Sequence, residues 1–182
     1  MDKGGGEGDR VDDFNNFLLN GRAYNILING MCNDRKLEEV LRLRNEMENL
    51  KLVPDVVSYN TIINGCFESG SSSEAFKLID EMGEKVVKLN AVTHNIIIKW
   101  YLKEGKIEKV SNTMRKMEES GFPPDTVTFN TLINGYCKVG KMAEPFKTMD
   151  EMGRKGLKMN SFTPNTILHT LCGEKKLVEE YN

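Results

Sequence analysis

The stretch VTFNTLINGYCKVGK, Val127 to Lys141, decides how this chain of 182 residues folds. Val127, Phe129, Leu132 and Ile133 lead into Asn134-Gly135, and Asn-Gly after an apolar run is the strongest short-range hairpin signal. Leu132, Ile133 and Tyr136 fit one stripe of a helix equally well. Asn130, a poor helix former, stands among those apolar neighbours. The stretch alone leaves both readings open.

The rest of the chain decides between them. YNILINGMC begins at Tyr24, YNTIINGCF at Tyr59, HNIIIKWYL at His94, FNTLINGYC at Phe129 and PNTILHTLC at Pro164. Their asparagines fall at Asn25, Asn60, Asn95, Asn130 and Asn165, a constant step of 35 residues. Met47, Met82, Met117 and Met152 keep that step, as do Gly70, Gly105 and Gly140, and Asp55, Asn90, Asp125 and Asn160. In the third copy Lys99-Trp100 takes the place of the Asn-Gly pair. A turn shared by all copies could not hold Lys-Trp where positive φ is required, so the hairpin reading fails. Ile97, Ile98, Tyr101 and Leu102 sit at helical spacing, and each unit opens with a helix of about a dozen residues. Gly70, Gly105 or Gly140 ends it. A second helix follows, as in SSSEAFKLIDEMGEK, with Ala75, Leu78, Ile79 and Met82 on one face.

A helix–turn–helix unit of 35 residues cannot bury its apolar faces alone, so the units are expected to stack. The fold class expected is all-α, a right-handed superhelical solenoid. Repeats span residues 21–55, 56–90, 91–125 and 126–160, with a partial fifth over 161–182. Residues 1–20, Gly-rich and acidic at their start, are expected to form a disordered head, within which Phe14, Leu18 and Leu19 suit a capping or remnant helix. Pro145 falls near the start of a second helix, where a missing N–H costs least and only a local distortion is expected.

Composition narrows the function. A hydrophobic fraction of 39% and a charged fraction of 29% are those of a globular protein. No apolar run reaches the ~18 residues of a membrane helix. Cys32, Cys66, Cys137 and Cys172 are far apart with no CxxC pair, which argues for buried free thiols rather than a zinc site or a disulfide framework. His94 and His169 have no acidic or Cys partner at ligand spacing, so neither is read as catalytic, and no metal or cofactor is expected. Net charge is −2; residues 126–160 hold 6 positive and 3 negative charges, a basic excess too modest to decide a partner. The start shows neither a signal peptide nor a transit peptide.

DVVSYNTIINGCFESGSSSEAFKLIDEMGEKVVKLN and DTVTFNTLINGYCKVGKMAEPFKTMDEMGRKGLKMN resemble the plant-type pentatricopeptide repeat, P class, as a fragment or short member. The resemblance covers residues 21–182. The step of 35, the asparagine, the mid-unit glycine and the late Glu-Met set it apart from the 34-residue tetratricopeptide repeat. Arg35 replaces the mid-unit glycine in the first unit, Trp100 replaces a glycine in the third, and Pro164 precedes the last asparagine. The resemblance implies sequence-specific binding of single-stranded RNA in mitochondria or chloroplasts, with proteins of RNA processing as further partners. Some members of the family carry a deaminase-like or nuclease domain, but no such pattern occurs here and no enzyme activity is expected. It implies one base per unit, read by Asn25 with Asp55, Asn60 with Asn90, Asn95 with Asp125 and Asn130 with Asn160. Asn165 lacks its partner within this chain. By the same resemblance Val57, Val92, Val127 and Phe162 sandwich bases, and Lys103 and Lys138 face phosphates.

Each column also has a plainer reading. Five asparagines at one helical register are poorly explained by helix stability, but they could bond a neighbouring unit's backbone. An amide offers both donor and acceptor and suits the Watson–Crick edge of an unpaired base. Asp and Asn at the unit boundary are good N-caps in their own right, and capping can coexist with reading. An ionised Asp, acceptor-only, suits the N3–H of uracil; Asn can donate to N3 of cytosine or turn its carbonyl to uracil. The order expected is 5′-UCUC-3′. The valines fit inter-unit packing, the methionines the core, and the lysines a solvated surface. A protein scaffold holding a peptide on its concave face is the rival to RNA. No HxE…CxxC pattern of a zinc deaminase occurs.

Overall fold

The computed structural model describes residues 21–158 together with 165, 167 and 168. The expected head over residues 1–20, with Phe14, Leu18 and Leu19, lies outside the described residues, as do Cys172 and His169. The chain divides into two compact units, Met1–Lys88 and Leu89–Asn182. The first holds α1 (Gly21–Asn33), α2 (Leu37–Asn49), α3 (Val56–Glu68) and α4 (Ser72–Glu84). The second holds α5 (Ala91–Lys103), α6 (Ile107–Glu119), α7 (Thr126–Lys138) and α8 (Ala143–Arg154). Among the described residues every regular element is a helix. The fold is all-α, built of helix–turn–helix repeats of the solenoid class.

The helix ends follow from local chemistry. Asp55, Asn90 and Asp125 stand in extended backbone, and each side chain accepts the backbone N–H three residues on. The first helices end in a Schellman motif: Gly70 N–H donates to Phe67 O at 3.2 Å and Ser71 N–H to Cys66 O at 2.8 Å. This geometry needs a left-handed residue after the helix. Gly70, Gly105 and Gly140 supply it at φ 79°, 67° and 69°, and Arg35 adopts φ 59° in the glycine's place. The second helices end in the same way, with Lys51, Val86, Gly121 and Gly156 at φ 59°, 59°, 85° and 69°.

In the first unit α1 packs on α2 and α3, and α3 also packs on α4; in the second, α5 packs on α6 and α7, and α7 on α8. The glycines of the Asn-Gly pairs lie inside helices and let them approach. A Cβ on Gly65 of α3 would sit 2.4 Å from Cys32 Sγ of α1. One on Gly135 of α7 would sit 2.8 Å from Leu102 Cβ of α5. The four methionines of the repeat are buried in the core. Around Met152 the core of the second unit gathers Ile98, Leu102, Val110, Phe129 and Leu132. Each such side chain contributes roughly 1.5–3 kcal/mol by leaving water.

Pro145 has the local effect expected of it. Val40 and Ala75, its counterparts in α2 and α4, donate their N–H to Lys36 O and Ser71 O at 3.1 and 3.2 Å. Proline has no N–H to give, and α8 begins one residue late with 12 residues against 13.

One feature of the first unit recurs only in part: two repeats on, Lys155 Nζ lies 3.9 Å from Glu118 as Lys85 pairs with Glu48, but Met114 and Phe129 stand where Arg44 and Tyr59 do. The Tyr59 hydroxyl donates to Glu81 Oε1 at 2.7 Å, and Arg44 bridges Glu81 and Glu48, the latter at 3.1 Å. Lys85 Nζ lies 2.6 Å from Glu48 and 2.8 Å from Glu81. Five side chains from α2, α3 and the α4 terminus thus form one ionic cluster. Burial alone would push the Glu81 carboxyl up. Hydrogen bonds from Lys85 and Tyr59 and the charge of Arg44 outweigh it and hold the group below the ordinary carboxylate value.

Candidate nucleic-acid interface

The unit-boundary column is a column of caps. Ser58 N–H donates to Asp55 Oδ1 at 2.8 Å, Thr93 N–H to Asn90 Oδ1 at 3.1 Å, and Thr128 N–H to Asp125 Oδ1 at 3.0 Å. At Asn90 and Asp125 a full capping box forms, with the threonine hydroxyl accepting the cap residue's own N–H at 3.2 and 3.4 Å. Asp55 and Asp125 are exposed and Asn90 is half-buried, so capping leaves them at the surface. Asn160 lies outside the described residues.

The asparagine column runs one turn into each first helix. Asn60 is buried, while Asn25, Asn95 and Asn130 are half-buried and Asn165 is exposed. Asn25 engages two side chains, Ser58 of the next repeat and Asp55, which closes its own. Its Oδ1 accepts the Ser58 hydroxyl at 2.5 Å, and its amide also hydrogen-bonds the Asp55 carboxylate. The two residues expected to read the first base therefore touch each other. Burial would push the Asp55 carboxyl up, but bonds from the Ser58 N–H and hydroxyl, the Asn25 amide and the Val57 N–H hold it below its usual value.

Val57, Val92 and Val127 are 55%, 53% and 59% exposed. Each stands three residues before an asparagine, on the same helical face. Packing within the protein leaves more than half of each of them exposed. Phe162 lies outside the described residues. Lys103 and Lys138 are exposed in the last turns of α5 and α7, where a cation also complements the helix dipole. Trp100, in the column's glycine place, is buried and carries the Lys106 ammonium 4.3 Å from its ring centroid.

Other candidate chemistry is accounted for by burial. Burial pushes the Cys66 thiol up to about 12, with Cys32 and Glu74 adding to it. His94 Nδ1 lies 2.9 Å from the carbonyl oxygen of Asn90, inside the helix start. Among the described residues no group of three His, Cys, Asp or Glu side chains could hold a metal ion. No described helix is long and apolar enough to cross a membrane.

A model of the PPR repeat family matches residues 20–67, 54–100, 89–135 and 124–173. This chain belongs to the PPR repeat family. No curated protein matches it. Among solved structures it is similar to the pentatricopeptide repeat protein PPR10 in complex with an 18-nt psaJ RNA element, at 23% identity and a TM-score of 0.73. That match covers 86% of this chain and 23% of the PPR10 chain. PPR10 from maize matches at 28% identity and a TM-score of 0.60, over 88% of this chain and 24% of that one. Nuclear proteinaceous RNase P 2 from A. thaliana matches at 14% identity and a TM-score of 0.55, over 89% and 37%. At 23% and 14% the likeness is one of fold. This PPR chain spans about a quarter of the length of PPR10.

Proposed function

We propose that this PPR chain binds single-stranded RNA, one base per repeat, and acts by occupancy on a short pyrimidine-rich stretch of a mitochondrial or chloroplast transcript. The observation that carries the reading is the recurrence of an exposed valine beside an asparagine in α3, α5 and α7. An apolar side chain left more than half exposed at the same place in three successive repeats has surface to spare beyond its packing, and a base plane is a surface it can cover. The fold shared with PPR10, solved with RNA, supports the same reading.

The pairs Asn25–Asp55, Asn60–Asn90, Asn95–Asp125 and Asn130–Asn160 then read 5′-UCUC-3′. The caps favour this order over an all-uracil one. Asn90 Oδ1 accepts from both the N–H and the hydroxyl of Thr93, each at 3.1 Å, which commits the amide oxygen to the helix start. An amide nitrogen is a donor and suits the N3 acceptor of cytosine. A capping aspartate keeps a second carboxylate oxygen that is acceptor-only and suits the N3–H of uracil. Four pairs at roughly 1–3 kcal/mol each must also offset the ordering of a flexible strand, so affinity is limited.

The test is binding of fluorescent RNA oligomers containing UCUC, UUUU, AAAA or GGGG. Preference for UCUC is expected, and equal, salt-sensitive binding to all four would leave only electrostatics. Asn90→Asp is expected to move the second-base preference from C toward U by roughly tenfold. A protein scaffold would bind none of the four.

A further inference from the structure

The hydroxyl three residues after each cap differs between repeats in a way that bears on how faithfully a base is read. Ser58 and Thr128 occupy the same place two repeats apart, and both give their N–H to the cap. Their hydroxyls do different things. Ser58 is 1% exposed, and its one proton lies between two acceptors, Asn25 Oδ1 at 2.5 Å and Asp55 Oδ1 at 2.9 Å. With the amide oxygen on Ser58, it is the Asn25 nitrogen that faces the Asp55 carboxylate. Turning the amide over would set its oxygen against that carboxylate. Serine, aspartate and asparagine thus hold one arrangement.

Thr128 is β-branched and stiffer at χ1. Its hydroxyl stays in the capping box, donating to Asp125 Oδ1 at 3.1 Å, accepting the Asp125 N–H at 3.4 Å, and lying 3.9 Å from Met117 Sδ. Asn95, the counterpart of Asn25, has a buried Oδ1 with no hydrogen-bond partner. No hydrogen bond to that oxygen holds the amide in place.

We propose that Ser58 is a positioning residue for base recognition, locking Asn25 against Asp55, and that Thr128 leaves Asn95 without such a lock. The first and third pairs, both Asn–Asp, then differ in fidelity: the first discriminates uracil from cytosine more sharply than the third. This rests on the RNA-reading function proposed above.

The experiment compares binding of UCUC, CCUC and UCCC oligomers to the full chain and to Ser58→Ala and Thr128→Ser variants. In the natural chain, U to C at the first base is expected to cost more affinity than U to C at the third. Ser58→Ala, which keeps the backbone cap, should lower the first-base ratio by roughly fivefold and leave the third alone; Thr128→Ser should raise the third. Circular dichroism melts check that each variant is folded, and Thr128→Ser decides alone if Ser58→Ala is not. A Ser58→Ala effect equal for all three oligomers, or an unchanged first-base ratio, overturns the positioning role while leaving base reading intact. A natural chain that prefers no base at either position overturns both.

Discussion

A single residue can carry a cost that its repeat does not require. Val86 occupies the left-handed position that closes α4, at φ 59°, where its counterparts further along are Gly121 and Gly156. A β-branched residue there is strained by about 1–2 kcal/mol. Val86 is 82% exposed, so little packing repays it. Val86→Gly is expected to raise stability by about 0.5–1 kcal/mol after the entropy of glycine is counted, and urea unfolding would measure it. A loss of stability would show that Val86 makes a contact its exposure conceals. The column was hard to see in the sequence, because only two of its four members are glycine. The mid-unit column, glycine in three of four, was legible. The same limit applies to the candidate site: the type of Asp55 or Asn90 suggests a cap and a reader equally. Only the bonded atoms show that the cap holds one side of the group.

At the scale of the helices, the Asn-Gly pairs were legible as helical because Lys99-Trp100 interrupts them in one copy. What the glycines do was not legible. Gly30, Gly65 and Gly135 share one column, yet a Cβ on Gly30 would meet nothing within 4 Å while one on Gly135 would press on Leu102 of α5. Gly135→Ala is expected to cost about 1–2 kcal/mol, overpacking outweighing the gain in helix propensity. Gly30→Ala should instead stabilise by about 0.5–1 kcal/mol. Thermal melts of the two variants would separate close approach from propensity, and equal shifts of the same sign would sink the distinction.

Across the whole molecule, charge is unevenly used. Asp55 and Glu81, both held below their ordinary values, lie in the first unit. A carboxylate with a lowered folded value stabilises above its unfolded value, near 4, and that contribution is lost as pH falls through the folded one. Far-UV circular dichroism of guanidinium unfolding between pH 6 and pH 3 is expected to show stability falling below about pH 4. Glu81→Gln should flatten that fall, and an unchanged slope would remove the Arg44–Glu81–Lys85 cluster as its source. The cluster spans residues 44 to 85; its Glu48–Lys85 pair recurs two repeats on as Glu118–Lys155, but Arg44 and Tyr59 do not recur there, so no periodicity announced the whole. Here the two sources of information part. The sequence by itself determined the helices, their ends, the methionine core and the all-α repeat class, because a step of 35 residues repeats each local preference until chance is excluded. Only tertiary structure decided which glycines permit close packing, which charges gather, and whether the Asn25 or Asn95 amide is held. Those depend on atoms brought together from different helices, and no spacing along one chain encodes such a distance.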